Sequence, residues 1–182
     1  MIILQLSDFK GGKYDLPDSV GVYVKNDLQE TIDKYEKQYI YQLLGVEQGN
    51  LFIAWLAANQ SPPNAFYSKI LNPFATDGTY YSWYWSCYRH IIESQGMKEY
   101  LKAAIFYEYT KVGLITSQAG VTQPLSETAI QQSPASTMRF SENKFNDVLD
   151  TIEAIQWYCM SEETAFPAFK GQRLTVKASN IF

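Results

Sequence analysis

Residues 134–163, PASTMRFSENKFNDVLDTIEAIQWYCMSEE, form the stretch that decides the expected fold. Ser133 can cap the N-terminus of a helix, and Pro134 suits the first helical position. The pattern predicts one helix of about thirty residues, a rod of ~45 Å that other helices must cover along its length. The apolar stripe of this helix consists of Met138, Phe145, Val148, Ile152, Ile155 and Cys159.

The chain before this stretch predicts four shorter helices. The first spans Asp27–Leu44, because Asp27 and Glu30 have the spacing of a capping box and Leu28, Ile32 and Leu43 fall on one apolar face. A glycine that directly follows a helix is typical of a helix end, and Gly45 occupies that position. The second and fourth helices are expected at Asn50–Ala58 and Met97–Val112.

The third helix is expected at Tyr80–Ser94. Tyr81, Trp85, Tyr88 and Ile92 recur at helical spacing. Neighbouring aromatic and apolar residues make this helix apolar around most of its circumference, which is typical of a helix at the centre of a bundle or between subunits. We expect the residues before it, from Ser61 to Gly78, to form mostly loop with one helical turn near Tyr67–Leu71.

Three segments lie outside these helices. Residues 1–25 predict an extended arm, and residues 166–182 predict a second arm or an edge strand. Residues 113–133 carry a single charge, Glu127, and form an insertion that is either a β-hairpin or a disordered loop. The expected fold is one mainly α domain over residues 1–182, a helical bundle with helices 1–4 at 26–112, the insertion at 113–133, a long helix at 134–165 and two arms.

Composition favours extensive burial. Hydrophobic residues make up 46% of the chain and aromatic residues 15%, whereas charged residues make up only 19%. Low charge with many tyrosines and tryptophans is typical of protein interfaces, and also of a large aromatic core. The net charge of −4 argues against a protein that grips nucleic acid through its phosphates.

The chain carries no recognisable catalytic or metal-binding signature. It has one histidine, His90, and two distant cysteines, Cys87 and Cys159, which we expect to be buried free thiols. The acidic residues Asp147, Asp150 and Glu153, with Glu142, are interpreted as the solvated face of the long helix. We therefore expect no catalytic residue, no metal site and no cofactor.

Targeting and membrane signals are also missing. The first residues lack a basic region, and the longest apolar run, Leu51–Ala58, is far shorter than the ~20 residues that span a bilayer. We expect a protein made in a reducing cytoplasm, with no membrane contact.

Four stretches resemble a family of head–tail connector proteins from bacteriophages of Bacteroidetes, including crAss-like phages. They are Tyr39–Gly45, Ser94–Tyr109, the polar span around Gly120-Val121, and Asn143–Tyr158. The resemblance covers roughly residues 27–165 and lies in the pattern as a whole. It implies a structural subunit of a ring, typically dodecameric, that docks beneath the portal and extends the DNA channel.

The resemblance and the composition together define the expected partners and contact surfaces. The partners are sister copies, the portal protein and the next neck or tail protein, with genomic DNA as passing cargo, in the neck of the virion. Another neck or tail-completion protein is an alternative, and a small hydrolase that uses acidic residues is a second alternative. The candidate interface residues are Leu4, Leu6, Trp83, Tyr84, Leu114, Ile115, Val121, Leu125, Ile130, Leu174, Val176 and Phe182.

Overall fold

The computed structural model describes residues 3–14, 16, 22–82, 85–118 and 134–170, with the backbone alone at 22–27, 77–82, 85–90, 112–118 and 134–138. The chain is mainly helical, as expected, and carries one antiparallel pair of strands. The elements are α1 Val22–Leu44, α2 Val46–Ala57, α3 Ala65–Leu71, β1 Phe74–Ser82, β2 Trp85–Ser94, α4 Met97–Gln118, α5 Pro134–Asn146 and α6 Leu149–Ser161.

The core lies where α1, α4, α5 and α6 meet. Ile40 of α1, Tyr100 of α4 and Ile155 of α6 have no accessible surface. Burial of each large apolar side chain contributes roughly 1.5–3 kcal/mol, so this shared core is the main source of stability. Aromatic rings join the elements: Tyr39 lies 6.1 Å from Tyr100 and 6.3 Å from Phe145, measured between ring centroids.

The first helix begins earlier than the capping signal predicted. Helix α1 starts at Val22, so Asp27 lies inside the helix and its assignment as the cap was wrong. The predicted end is confirmed: Gly45 follows Leu44 with φ +83°, and its N–H donates to the carbonyl of Tyr41 at 2.9 Å. Helix α2 begins directly after this glycine, four residues before its predicted start.

The predicted third helix is wrong, because Trp85–Ser94 forms strand β2. It pairs antiparallel with β1, which replaces part of the predicted loop before Gly78. Burial alternates along the end of β2: Ile92 and Ser94 are buried, whereas Ile91 and Glu93 are exposed. Aromatic and β-branched side chains suit a strand as well as a helix, and packing on α6 selects the strand here.

The predicted single long helix is also wrong, because it is divided into α5 and α6 at Asp147-Val148. Val148 has φ −109° and ψ 9°, outside the helical range, yet its side chain is completely buried. The apolar pattern therefore continues through the break. The break separates two helices with different neighbours: α5 packs on α4, whereas α6 packs on the strand pair.

Helix α4 is longer than predicted and reaches Gln118. Leu114 and Ile115 therefore lie in a helix, and their assignment to the first strand of a hairpin, or to a loop, was wrong. The remainder of the predicted insertion, residues 119–133, lies outside the described residues.

The described part of the N-terminal arm packs on its own chain. Residues Leu6–Phe9 form a short 3-10 helix, where the sequence had predicted extended backbone. Leu4, Phe9 and Tyr14 are buried in the core. At the other end Phe166 is buried, and residues 171–182 of the predicted C-terminal arm lie outside the described residues.

Candidate interface

The strand pair is fixed to the domain at its base. The ring of Phe74 lies 5.3 Å from that of Tyr158 in α6, and Ile92 is buried. The Lys69 ammonium sits 4.4 Å from the centre of the Tyr158 ring and 5.7 Å from that of Phe74. Helix α6 therefore positions the start of β1 and the end of β2.

Beyond this base the strand pair carries few charges and many aromatic residues. In the register of the two strands, Asp77 pairs with Ile91, Tyr80 pairs with Tyr88 and Ser82 pairs with Trp85. The register shifts between Tyr80 and Ser82. Residues 78–88 contain no charged residue and six aromatic residues. Among the described residues the sheet has only these two strands, so each strand has one edge without a strand partner there. Such edges are sites where another chain can add.

A second uncharged surface lies on α2, α3 and the loop between them, and we call it the α2–α3 surface. No Asp, Glu, Lys or Arg occurs between Glu47 and Lys69. Large apolar side chains point outward here: Val46 at the start of α2 is 61% exposed, Leu51 is 49% exposed and Phe66 is 37% exposed. Ala54, Ala57 and Ala58 are exposed as well.

The inner side of this surface is well packed and hydrogen-bonded. The rings of Phe52, Trp55 and Tyr67 contact one another at centroid distances of 5.3–5.9 Å. The Trp55 Nε1–H donates to the carbonyl of Pro62 at 2.9 Å. The side chain of Asn64 caps α3 by accepting the N–H groups of Phe66 and Tyr67. Of the outward apolar residues, Phe66 also contacts the buried ring of Phe166, at 6.4 Å between ring centroids, so it contributes to this packing.

Gln48 links the α2–α3 surface to the end of the described chain. Its buried side chain donates to the Tyr67 hydroxyl at 2.8 Å and accepts the N–H of Ala168 at 3.2 Å. Nearby, Lys170 pairs with Glu47 at 3.1 Å across a shallow groove of about 180 Å³. The segment after α6 is therefore held against the N-terminal end of α2.

The candidate residues from the sequence fall in different places. Leu4 is fully buried within the chain, and Leu6 is partly buried against the core, so neither offers much surface to a neighbour in this arrangement. Leu114 and Ile115 lie in α4. The other candidates lie outside the described residues: Trp83, Tyr84, Val121, Leu125, Ile130, Leu174, Val176 and Phe182.

The residues that the structure does expose were missed by the sequence analysis. Among the described residues, the large apolar side chains that are exposed are Val46, Leu51 and Phe66 on the α2–α3 surface, Ile91 on β2, Phe140 on α5 and Met160 on α6. The signal that could have found Leu51 and Phe66 is the run of 21 residues, 48–68, without a charge, whereas Val46 lies before this run, next to Glu47.

The acidic residues of α5 and α6 lie at the surface. Asp147 and Asp150 are exposed, Glu142 and Glu153 are partly exposed, and Asp147 pairs with Lys13 at 3.3 Å. Within the described ranges, no group of three or more His, Cys, Asp or Glu side chains could hold a metal ion. In the same ranges no helix combines the length and apolar character needed to cross a bilayer.

The perturbed titratable groups belong to the core. Burial raises the pKa of the Cys159 thiol to about 12, and this cysteine is a buried free thiol, as predicted. Burial also raises the pKa of Tyr39, whose hydroxyl donates to the Glu108 carboxylate at 2.8 Å, and that of Tyr100. These groups stay protonated in neutral solution and contribute packing and hydrogen bonds.

The function of this chain is inferred from its fold and from these surfaces. No family model, curated protein or solved structure matches this chain. The class that the structure defines is a mainly helical protein with an aromatic strand pair and an uncharged helical surface.

Proposed function

We propose that this chain is a non-enzymatic structural subunit of a phage neck, a head–tail connector that forms a ring beneath the portal. The observation that carries the proposal is the strand pair. Its strands contain four of the six aromatic residues of the charge-free run 78–88, namely Tyr80, Tyr81, Trp85 and Tyr88, and no third strand joins the pair among the described residues. An isolated two-stranded hairpin is marginally stable in water; in this chain α6 packs on the pair, and in this proposal a neighbouring subunit adds further packing.

The exposed apolar side chains support the same function. Val46, Leu51 and Ile91 are each about half exposed or more, at two different places in the fold. Permanent interfaces are depleted in charge and enriched in aromatic residues, and large ones bury more than ~2,000 Å². Coverage by sister copies and by the portal accounts for the low charge content of the chain.

A ring subunit needs two different contact faces, because its contacts run head to tail and close by rotation. The net charge of −4 also suits a channel wall that DNA passes without adhering, since phosphate binding needs clustered basic residues. In this proposal the partners are sister copies, the portal protein and the next neck or tail protein, and the location is the virion neck.

The test is the mass of the purified chain by light scattering, alone and mixed with the portal protein of the same virus. We expect a ring-sized assembly in at least one of the two samples. Bovine serum albumin mixed with the same portal controls for non-specific adsorption. The proposal is contradicted if the chain stays monomeric at a concentration ~100 times a micromolar dissociation constant and also does not sediment with portal rings.

A further inference from the structure

Residues 162–170, the segment that follows α6, cover a group of aromatic rings, and we call this segment the strap. Its Phe166 is 1% exposed and lies 5.6 Å from Tyr67 in α3 and 6.0 Å from Tyr158 in α6, measured between ring centroids. Phe66, at the edge of the same group, lies 6.4 Å from Phe166. The ring of Phe166 therefore fills an aromatic socket that Phe66, Tyr67 and Tyr158 form together.

The strap has turns of its own and lies outside the helices and strands. The N–H groups of Ala165 and Phe166 both donate to the carbonyl of Glu162, at 2.9 Å and 3.0 Å, and that of Phe169 donates to the carbonyl of Phe166 at 3.0 Å. The donor and the acceptor of each of these bonds belong to the strap. Movement of the strap away from α3 therefore leaves these backbone groups paired and avoids the cost of losing their hydrogen bonds.

Two polar contacts attach the strap to α2. The N–H of Ala168 donates to the buried Oε1 of Gln48 at 3.2 Å, and the ammonium of Lys170 lies 3.1 Å from the Glu47 carboxylate. The side chains of Lys170 and Glu47 are 72% and 66% exposed, so their ion pair contributes little and salt screens it. Phe169 is only partly buried against the core. Detachment of the strap thus loses mainly one buried ring and one hydrogen bond.

We infer that the strap opens as a unit while helices α1–α6 stay folded, and that its opening uncovers the aromatic socket. Segments with few attachments open at a lower free energy than the whole domain does. With the strap closed, the α2–α3 surface ends at the exposed Phe66. With the strap open, the rings of Tyr67 and Tyr158 extend this surface, so the strap controls the apolar area that the chain offers to a partner. The inference goes beyond the proposed ring function and does not depend on it.

Hydrogen exchange in the native full chain tests the strap, with the amide of Ala168 as the reporter because its acceptor lies on α2. The amide of the fully buried Ile155 in α6 reports on global unfolding. We expect the protection factor of Ala168 to be at least about a hundredfold lower than that of Ile155. Low concentrations of urea should lower the protection factor of Ile155 and leave that of Ala168 nearly unchanged, because local opening exposes little surface.

A core variant separates local opening from global unfolding. Ile32→Val removes one methyl group from a fully buried position on α1 and should lower the protection factor of Ile155 by about two- to tenfold. The protection factor of Ala168 should stay within about twofold, because opening of the strap does not disturb this position. If the two protection factors fall in parallel, both in this variant and in urea, the strap opens only with the whole domain and the inference is wrong.

Two variants change the contacts of the strap itself. Phe166→Ala should lower the protection factor of Ala168 at least about tenfold, although the change lies two residues away. Glu47→Lys should lower it about threefold at low salt and much less in ~0.5 M salt, where the repulsion from Lys170 is screened.

The ion-pair variant has a matched control and does not threaten folding. Glu47 and Lys170 are both exposed, so Glu47→Lys gives a readout even where Phe166→Ala does not fold. Glu30→Lys makes the same charge change at an exposed position on α1 and should leave the protection factor of Ala168 within about twofold of the wild type. An Ala168 amide that responds to neither strap variant would contradict opening as a unit.

Discussion

The carboxylate of Glu36 in α1 accepts the backbone N–H of Leu4 at 2.8 Å, and it accepts that of Ile3 at 2.6 Å as well. Glu36 is 1% exposed and Leu4 is fully buried, so this contact joins the N-terminal segment to the centre of the domain. A buried carboxylate is tolerated only where hydrogen bonds satisfy it, and backbone donors of the arm supply that here.

Replacement of this carboxylate tests how firmly the arm is held. We expect Glu36→Ala to lower the free energy of unfolding by about 2–3 kcal/mol, because it leaves the buried N–H of Leu4 and the partly buried N–H of Ile3 without this acceptor. Glu30→Ala, an exposed position on the same helix, is the control and should change the value by less than ~0.5 kcal/mol. Urea denaturation measures both, and equal effects for the two variants would contradict the anchoring role of Glu36.

We expect removal of the hydroxyl group from two buried tyrosines, Tyr14 and Tyr39, to affect the free energy of unfolding differently. Among the described residues, the buried Tyr14 hydroxyl makes no hydrogen bond of ordinary geometry, although the Glu99 carboxylate lies near enough to help raise its pKa, whereas the Tyr39 hydroxyl donates to Glu108 at 2.8 Å. We expect Tyr14→Phe to leave the free energy of unfolding unchanged or raise it by up to ~1 kcal/mol, and Tyr39→Phe to lower it by about 1–2 kcal/mol. Both changes keep the ring, so urea denaturation isolates the hydroxyl. A clear loss of stability in Tyr14→Phe would show that its hydroxyl has a partner.

Alanine substitutions at two glycines with similar backbone conformation distinguish the cost of backbone strain from the cost of steric crowding. Gly96 has φ +87° and Gly45 has φ +83°, so alanine is strained at both. A Cβ on Gly96 would lie 2.7 Å from the carbonyl oxygen of Leu71 and 2.8 Å from the carbonyl carbon of Asn72, whereas one on Gly45 meets nothing within 4 Å. We expect Gly96→Ala to cost about 1–3 kcal/mol more than Gly45→Ala. Thermal or urea unfolding measures the difference, and equal costs would mean that the backbone near Asn72 yields freely.

The buried thiol of Cys159 predicts a loss of stability in alkali. Its pKa is raised from 9.0 to about 12, because burial disfavours the thiolate. The unfolded chain therefore ionises first, and the contribution of this thiol to stability is constant below pH 9 and falls as pH rises towards 12, by up to about 1.4 kcal/mol per pH unit. We expect the free energy of unfolding, measured by urea denaturation between pH 9 and pH 11 in a Cys87→Ser background, to fall less steeply with pH after Cys159→Ala.

Thiol reactivity gives an independent readout in the same background. At pH 8 Cys159 should react with a thiol reagent at least about a hundredfold more slowly in the native state than in urea, because both burial and protonation protect it. Rapid reaction of the native protein would contradict its placement in the core.

Much of the helical fold could be predicted from local pattern. The apolar face of α1, with Ile32 and Leu43, is buried as predicted, and α4 starts at Met97 as expected. Gly45 ends α1 because glycine adopts positive φ at little steric cost. These features depend on residues three or four positions apart, so the sequence contains the information directly.

The candidate contact surfaces could not be predicted in the same way. Leu4 was expected at an interface and is buried, whereas Leu51 is apolar on a helix and is exposed. Hydrophobicity predicts that a side chain favours burial. Whether the chain itself buries Leu51 depends on how α2 packs against its neighbours. The uncharged run 48–68 can be seen in the sequence, but only the fold shows that part of it forms a surface.

The sequence by itself determined a mainly helical domain, because apolar residues at helical spacing, a glycine after α1 and a proline at the start of α5 act through local geometry. The tertiary structure decided that Trp85–Ser94 is a strand and that the chain turns at Asp147-Val148. Both involve α6, which begins after this turn and packs on the strand pair, whereas α5 packs on α4. Aromatic residues suit either period, and the contacts with α6 select between them.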